Sequence, residues 1–266
     1  MKLFFRKYGN GLPLFILHGL YGSSDNWVTI ARSLSDSFTV YLPDQRNHGQ
    51  SPHSDIHDYD SMSQDLFELT RELKINKFFL AGHSMGGKVA VNFAMKWPEM
   101  INSLIIIDIS PFRSADPERK FYKEHKHILE TLLSTDLSNI GSRAEAESFL
   151  ARKIESEKTR GFILKNLQRT GERTFTWKIN VKSLFDNLEK IVDGLPCPTK
   201  ETESVTGFPV TFIKGEDSDY LSAEEFNIIQ KLFPTAEIIN VENAGHWINA
   251  ERPDAIIDIL LRQLKG

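Results

Sequence analysis

The chain has 266 residues, of which 40% are hydrophobic and 26% charged, with a formal net charge of -4. That length suits one large α/β domain or one domain with an insertion, and the charge balance has no basic excess to suit nucleic acid. No run approaches the roughly 18 apolar residues of a membrane span, and MKLFFRKYGN is too short in apolar residues for a signal-peptide core. The only cysteine, Cys197, cannot form an internal disulfide and sits in the Pro-rich LPCPT. The expectation is a cytoplasmic, soluble protein with no nucleic-acid partner and no membrane insertion.

Short apolar runs ending in turn residues alternate with helix-period segments. LFFRKY and LPLFILHG come first, then DNWVTIARSL with Trp27, Ile30, Ala31 and Leu34 on one stripe. FTVYLPD follows, then SQDLFELTREL with Leu66, Leu69 and Leu73, then KFFLAGHS, the helical VAVNFAMKW, and SLIIIDIS. PVTFIKGE and AEIINVEN complete the set of seven strand-like runs. Such alternation predicts a sheet covered on both faces, mixed at its first strand and parallel after it.

Between about residues 112 and 208 the alternation fails, and helical patterns follow one another with no strand between them. Asp116 before Pro117 reads as a helix start, followed by a stripe of Phe121, His125, Ile128, Leu129 and Leu132. Ser142 with Glu145 reads as a capping box. A third pattern carries Phe162, Ile163 and Leu167, and a fourth Leu184, Phe185 and Leu188. The sheet pattern resumes after the breaker-rich LPCPTKETESVTG. Residues 1–111 and 209–266 are therefore expected to form the core, and 112–208 a helical cap.

AGHSMGG is a G-x-S-x-G match between a strand-like run and a helical one, the context that such a nucleophile turn requires. It offers Ser84 at the carboxyl end of the sheet, and it sets the backbone N–H of Met85 at a helix amino terminus. HGLYGS supplies a second N–H, that of Leu20, for an oxyanion hole with Met85. A serine nucleophile needs a base. His246 in NAGHW follows the last strand run, where open α/β sheets place their sites. His83 adjoins the serine and should point elsewhere, and His48 in DQRNHGQS reads as loop packing. HSDIHDYD lacks metal-ligand spacing. RKFYKEHKH could meet an anionic substrate such as a coenzyme A phosphate, but a solvated helix face is the plainer reading.

In this order, HGLYGS, DQRNHGQS, GHSMGG, IDISP and AGHW resemble the α/β-hydrolase superfamily, and within it the YbfF-like bacterial esterase group. The resemblance implies an α/β-hydrolase core with a helical cap, a Ser-His-acid mechanism and no cofactor. It also implies hydrolysis of carboxylic esters or acyl thioesters; a small-molecule acyl substrate and a monomer or homodimer are expected. Ser84 argues against relatives with an aspartate nucleophile, while carbon–carbon hydrolases, lyases and ligand sensors on this scaffold keep the same serine and histidine.

The acid has several candidates. KGEDSDY offers Asp217 and Asp219, yet the position three residues after Gly215, where many relatives carry the acid, holds Ser218. Asp108 closes the apolar run LIIID, where a carboxylate is costly to bury without a partner. The YbfF-like pattern implies Asp108 as the acid and Ser218 as an assisting fourth member, with Asp217 the alternative.

Overall fold

The computed structural model describes residues 1–112, 119–171 and 174–265. In chain order the elements are β1 (Phe5–Tyr8), β2 (Leu12–Leu17), α1 (Val28–Leu34), β3 (Phe38–Pro43), α2 (Tyr59–Glu72), β4 (Phe78–His83), α3 (Met85–Lys96) and β5 (Ile101–Ile107). Then come α4 (Lys120–Leu133), α5 (Arg143–Ala151), α6 (Glu157–Leu164), β6 (Leu167–Arg169), β7 (Phe175–Trp177), α7 (Val181–Asp186) and α8 (Leu188–Asp193). β8 (Val210–Gly215), α9 (Ala223–Leu232), β9 (Glu237–Val241), α10 (Ile248–Glu251) and α11 (Pro253–Lys265) complete the chain.

All seven predicted runs enter one sheet, ordered β1, β3, β2, β4, β5, β8, β9. β1 lies antiparallel to β3, and every other pairing in this sheet is parallel. Successive side chains of a strand face opposite ways, so each central strand feeds two cores. Phe15, Leu17, Leu80, Leu104 and Ile106 pack toward α2 and α3. Leu14, Ile16, Ala81, Ile105 and Ile107 pack toward α1 and α11, against Trp27, Leu34, Ile256 and Leu260. The chain moves outward from β2 to β3 and then returns to place β4 on the other side of β2. That reversal opens a crevice at the carboxyl ends of β2 and β4, the place where open α/β sheets bind ligands.

The segment between β5 and β8 corrects the sequence reading in its details. It is mainly helical, but β6 and β7 form a small antiparallel ribbon that the periodicity did not suggest. Leu167 belongs to that ribbon rather than to a helix with Phe162 and Ile163, and Leu188 opens α8 rather than closing α7. Ser142 does cap α5 through the N–H of Glu145, at 3.2 Å, but the Glu145 carboxylate takes the N–H of Gly141, so the box closes one residue early. The helix start expected at Asp116 lies outside the described residues; α4 begins at Lys120. Ile128, Leu132, Leu150, Ile163 and Leu184 share one apolar cluster with α2 and α3 of the sheet layer. Among the described residues, no helix is long and apolar enough to cross a membrane.

Candidate active site

Ser84 is the single residue between β4 and α3, with φ 52 and ψ -122. Few non-glycine residues adopt such backbone angles, and the surroundings must enforce them. Here the N–H of Ser84 donates to the Ile107 carbonyl at 3.0 Å, and its own carbonyl accepts from Gly87 at 2.8 Å. The turn is tight enough that a Cβ on Gly82 would lie 2.2 Å from the Gly86 carbonyl oxygen.

His246 leaves the loop after β9, with Nε2 3.0 Å from Ser84 Oγ and Nδ1 2.7 Å from Asp108 Oδ2. A carboxylate only accepts, so Nδ1–H donates to it and Nε2 is left to accept from the serine hydroxyl. Asp108 follows β5 directly, takes a left-handed φ of 52 and is fully buried. Its charge is met by three donors: His246, the N–H of Gly215 at 2.9 Å, and the hydroxyl of Ser218. A buried carboxylate satisfied in this way is held in one orientation. Asp217 and Asp219 are exposed on the same loop, and Asp219 pairs with Lys120 at 2.8 Å.

Leu20 and Met85 flank the serine from the neighbouring strand ends. Met85 is the first residue of α3, so its N–H has no partner one turn back in the helix. The turn bearing Leu20 presses against the nucleophile: a Cβ on Gly19 would lie 3.1 Å from Ser84 Cβ. Two buried histidines brace that turn. His18 accepts the Gln45 N–H at 2.9 Å through Nε2, and His48 accepts the Tyr21 N–H at 3.2 Å through its own Nε2. Their Nδ1–H groups face the carbonyls of Gly19 and Arg46. His48 is thus the loop-packing residue that the sequence suggested.

Other residues around the site had no signal in the sequence. The ring of Tyr220 stacks on His246 with centroids 3.7 Å apart, and Phe121 of α4 stacks on Tyr220 at 3.9 Å. His83 does point away from the serine: its Nε2–H donates to the His246 carbonyl at 2.8 Å. The residues of HSDIHDYD serve local structure. Asp58 caps α2, Asp60 pairs with Lys96, and His57 Nε2 lies 3.4 Å from Met85 Sδ. From RKFYKEHKH, Arg119 pairs with Glu189 and Asp193, and the His127 ring bonds the Lys153 carbonyl.

These histidines make stability depend on acid. Burial pushes His57 and His83 down from 6.5 to about 3 and His125 to about 4, with the neighbouring Arg46 and His246 adding to the first two. Burial also lowers His18 and His48. The unfolded chain binds protons at these positions from about pH 6.5 downward, while the folded chain binds them only at lower pH, near 3 for His57 and His83 and near 4 for His125. Stability is therefore fully present above that value and falls as pH drops from 6.5 toward 4, by up to about 1.4 kcal/mol per pH unit for each histidine. Urea midpoints measured between pH 7 and 4.5 should fall steeply; a flat profile contradicts this account.

Two cavities meet at Ser84. One, of about 550 Å³, is lined by Ser84, Met85, Ile109, Phe112 and Ile191 among others; the second, of about 400 Å³, by Ser84, His246, Trp247, Phe162 and Lys158 among others. Lys158 of α6 pairs with Glu251 of α10 at the second.

A model of the alpha/beta hydrolase fold family matches residues 13–253. The sn-1-specific diacylglycerol lipase ABHD11 of Danio rerio is 36% identical over 97% of this chain and 80% of its own. Esterase YbfF of Escherichia coli is 31% identical over 96% of this chain and 94% of its own. The solved structure of a marine microorganism esterase is 42% identical, with a TM-score of 0.92 over 98% of this chain and 99% of that one. With the family model matching most of its length, and with such relatives along nearly all of it, the chain belongs to the α/β-hydrolase family, in the YbfF-like esterase group.

Proposed function

We propose that the protein is a serine hydrolase of carboxylic esters or acyl thioesters. The observation that carries the reading is the hydrogen-bonded chain Ser84, His246, Asp108, with Ser84 lining two adjoining cavities. In this reading Ser84 Oγ attacks the acyl carbon while His246 Nε2 takes its proton, and Asp108 stabilises the imidazolium and holds its tautomer. The N–H groups of Leu20 and Met85 receive the oxyanion, an interaction whose loss typically costs about 3 kcal/mol of barrier per donor. Ser218 fixes the free rotation of the Asp108 carboxylate. His246 then protonates the leaving group, and water entering by the same route releases the acid.

The direction of binding follows from that last proton. The leaving oxygen must lie beside His246 Nε2, so the smaller cavity, which His246 lines, takes the alcohol or thiol part. The larger one, bounded by Met85 and without His246, takes the acyl part. Residues 112–208 act as the cap that closes both cavities over the core, in a monomer or homodimer located in the cytoplasm.

The reading is tested with p-nitrophenyl butyrate under rapid mixing. A burst of p-nitrophenol approaching one equivalent, or steady turnover blocked by a fluorophosphonate, is expected. Failure of the protein either to turn over short esters or to react with the fluorophosphonate contradicts it.

A further inference from the structure

The larger cavity has mainly apolar walls, yet one of the residues lining it is Lys88 of α3, which is only 5% exposed. Its Nζ donates to the carbonyls of Ile191 at 3.3 Å and Val192 at 2.7 Å, and it lies 5.9 Å from the centre of the Tyr59 ring. An ammonium has three protons, and these two carbonyls take two of them. Among the described residues no carboxylate forms an ion pair with it. Asp193 and Glu225 act only from a distance, and burial outweighs them, holding the amine down at about 8. A buried cation held by neutral carbonyls gains further stabilisation from an anion brought to it.

The other charges of this cavity are committed elsewhere or lie at the rim. Asp219 pairs with Lys120, the Glu225 carboxylate accepts the Ser222 N–H at 2.8 Å as a helix cap, and Glu224 is exposed. Lys88 is one helical turn beyond Ser84, about 6 Å along the axis of α3. An acyl chain entering past Ser84 and Met85 therefore has a cation beside its path.

We propose that Lys88 binds a carboxylate at the far end of the acyl group, so that the protein prefers half-esters of dicarboxylic acids over esters of simple fatty acids. The proposal rests on the serine-hydrolase reading above and names its substrate class. The competing role for Lys88 is a tie that holds the last carbonyls of α8 to the sheet layer, which predicts no preference among acyl groups.

The test compares p-nitrophenyl hemiglutarate, hemiadipate and hemisuberate with p-nitrophenyl valerate, hexanoate and octanoate at neutral pH, with spontaneous hydrolysis subtracted. The wild-type protein is expected to favour the best-fitting half-ester in kcat/KM by about tenfold or more. Lys88→Met and Lys88→Gln should lose about 10- to 100-fold on that half-ester and stay within about threefold of wild type on the neutral esters. Equal or better turnover of neutral esters by the wild type overturns the proposal, and that comparison needs no variant to fold. A loss shared equally by both substrate classes also overturns it and leaves Lys88 as a tie. Turnover of neither class would instead remove the serine-hydrolase reading, and the proposal with it.

Discussion

Replacing Ser84 by alanine is expected to lower kcat on p-nitrophenyl butyrate by about 10⁶-fold, the scale on which serine hydrolases lose activity when the nucleophile itself is removed. The hydroxyl is the only part of the side chain lost, and the bonds that hold the turn use the backbone of residue 84, not its Oγ. Folding stability should therefore change by no more than about 1 kcal/mol, the usual net worth of the single hydrogen bond to His246 that is lost. Activity corrected by fluorophosphonate titration of the wild type gives the ratio. A variant that keeps a tenth of the wild-type rate would mean that the serine does not form the new bond, and would contradict the serine mechanism.

Asp108→Asn is expected to cost about 10⁴-fold in turnover, whereas Asp217→Asn should leave it within about twofold. The difference comes from what each carboxylate touches. Asp108 is buried and receives Nδ1–H of His246, so an amide there presents a donor where the ring needs an acceptor and favours the wrong tautomer. Asp217 is exposed, and its backbone N–H, rather than its carboxylate, is what ties it to Ala244 at 2.9 Å. The reverse ranking of the two variants would return the acid to the loop after β8.

The sheet could be read from the sequence because its central strands are buried on both faces. LPLFIL and LIII are continuous apolar runs with no competing helical period, and turn residues end them. The serine was legible for a local reason: a strand-to-helix turn that tight leaves its mark as glycines on either side of one residue. His246 was legible from its place after the last strand. Asp108 needed more, because the sequence carries acids at both candidate strand ends. The resemblance implied Asp108 with Ser218 assisting, and in the fold the Ser218 hydroxyl donates to the Asp108 carboxylate oxygen that His246 also meets.

The region between β5 and β8 was read less well, for physical reasons. Strands of three residues, such as Leu167–Arg169, are too short to show alternation against the background of helical leucines. Tyr220 and Lys88 carried no signal because each matters through what packs on it, a ring stacked on His246 and a pair of carbonyls from α8. Both partners lie far away in the chain. A lysine in a helix reads as solvated until the fold lays another helix over it.

The central claim is that Ser84 carries the acyl group in turn. Acid-quenched reaction with a slowly turned-over ester, followed by proteolysis and mass measurement, reads this directly. The account predicts the mass of the acyl group on the peptide that contains Ser84, and its absence from Ser84→Ala. An adduct on another residue, or ester turnover with Ser84 never acylated, would contradict it.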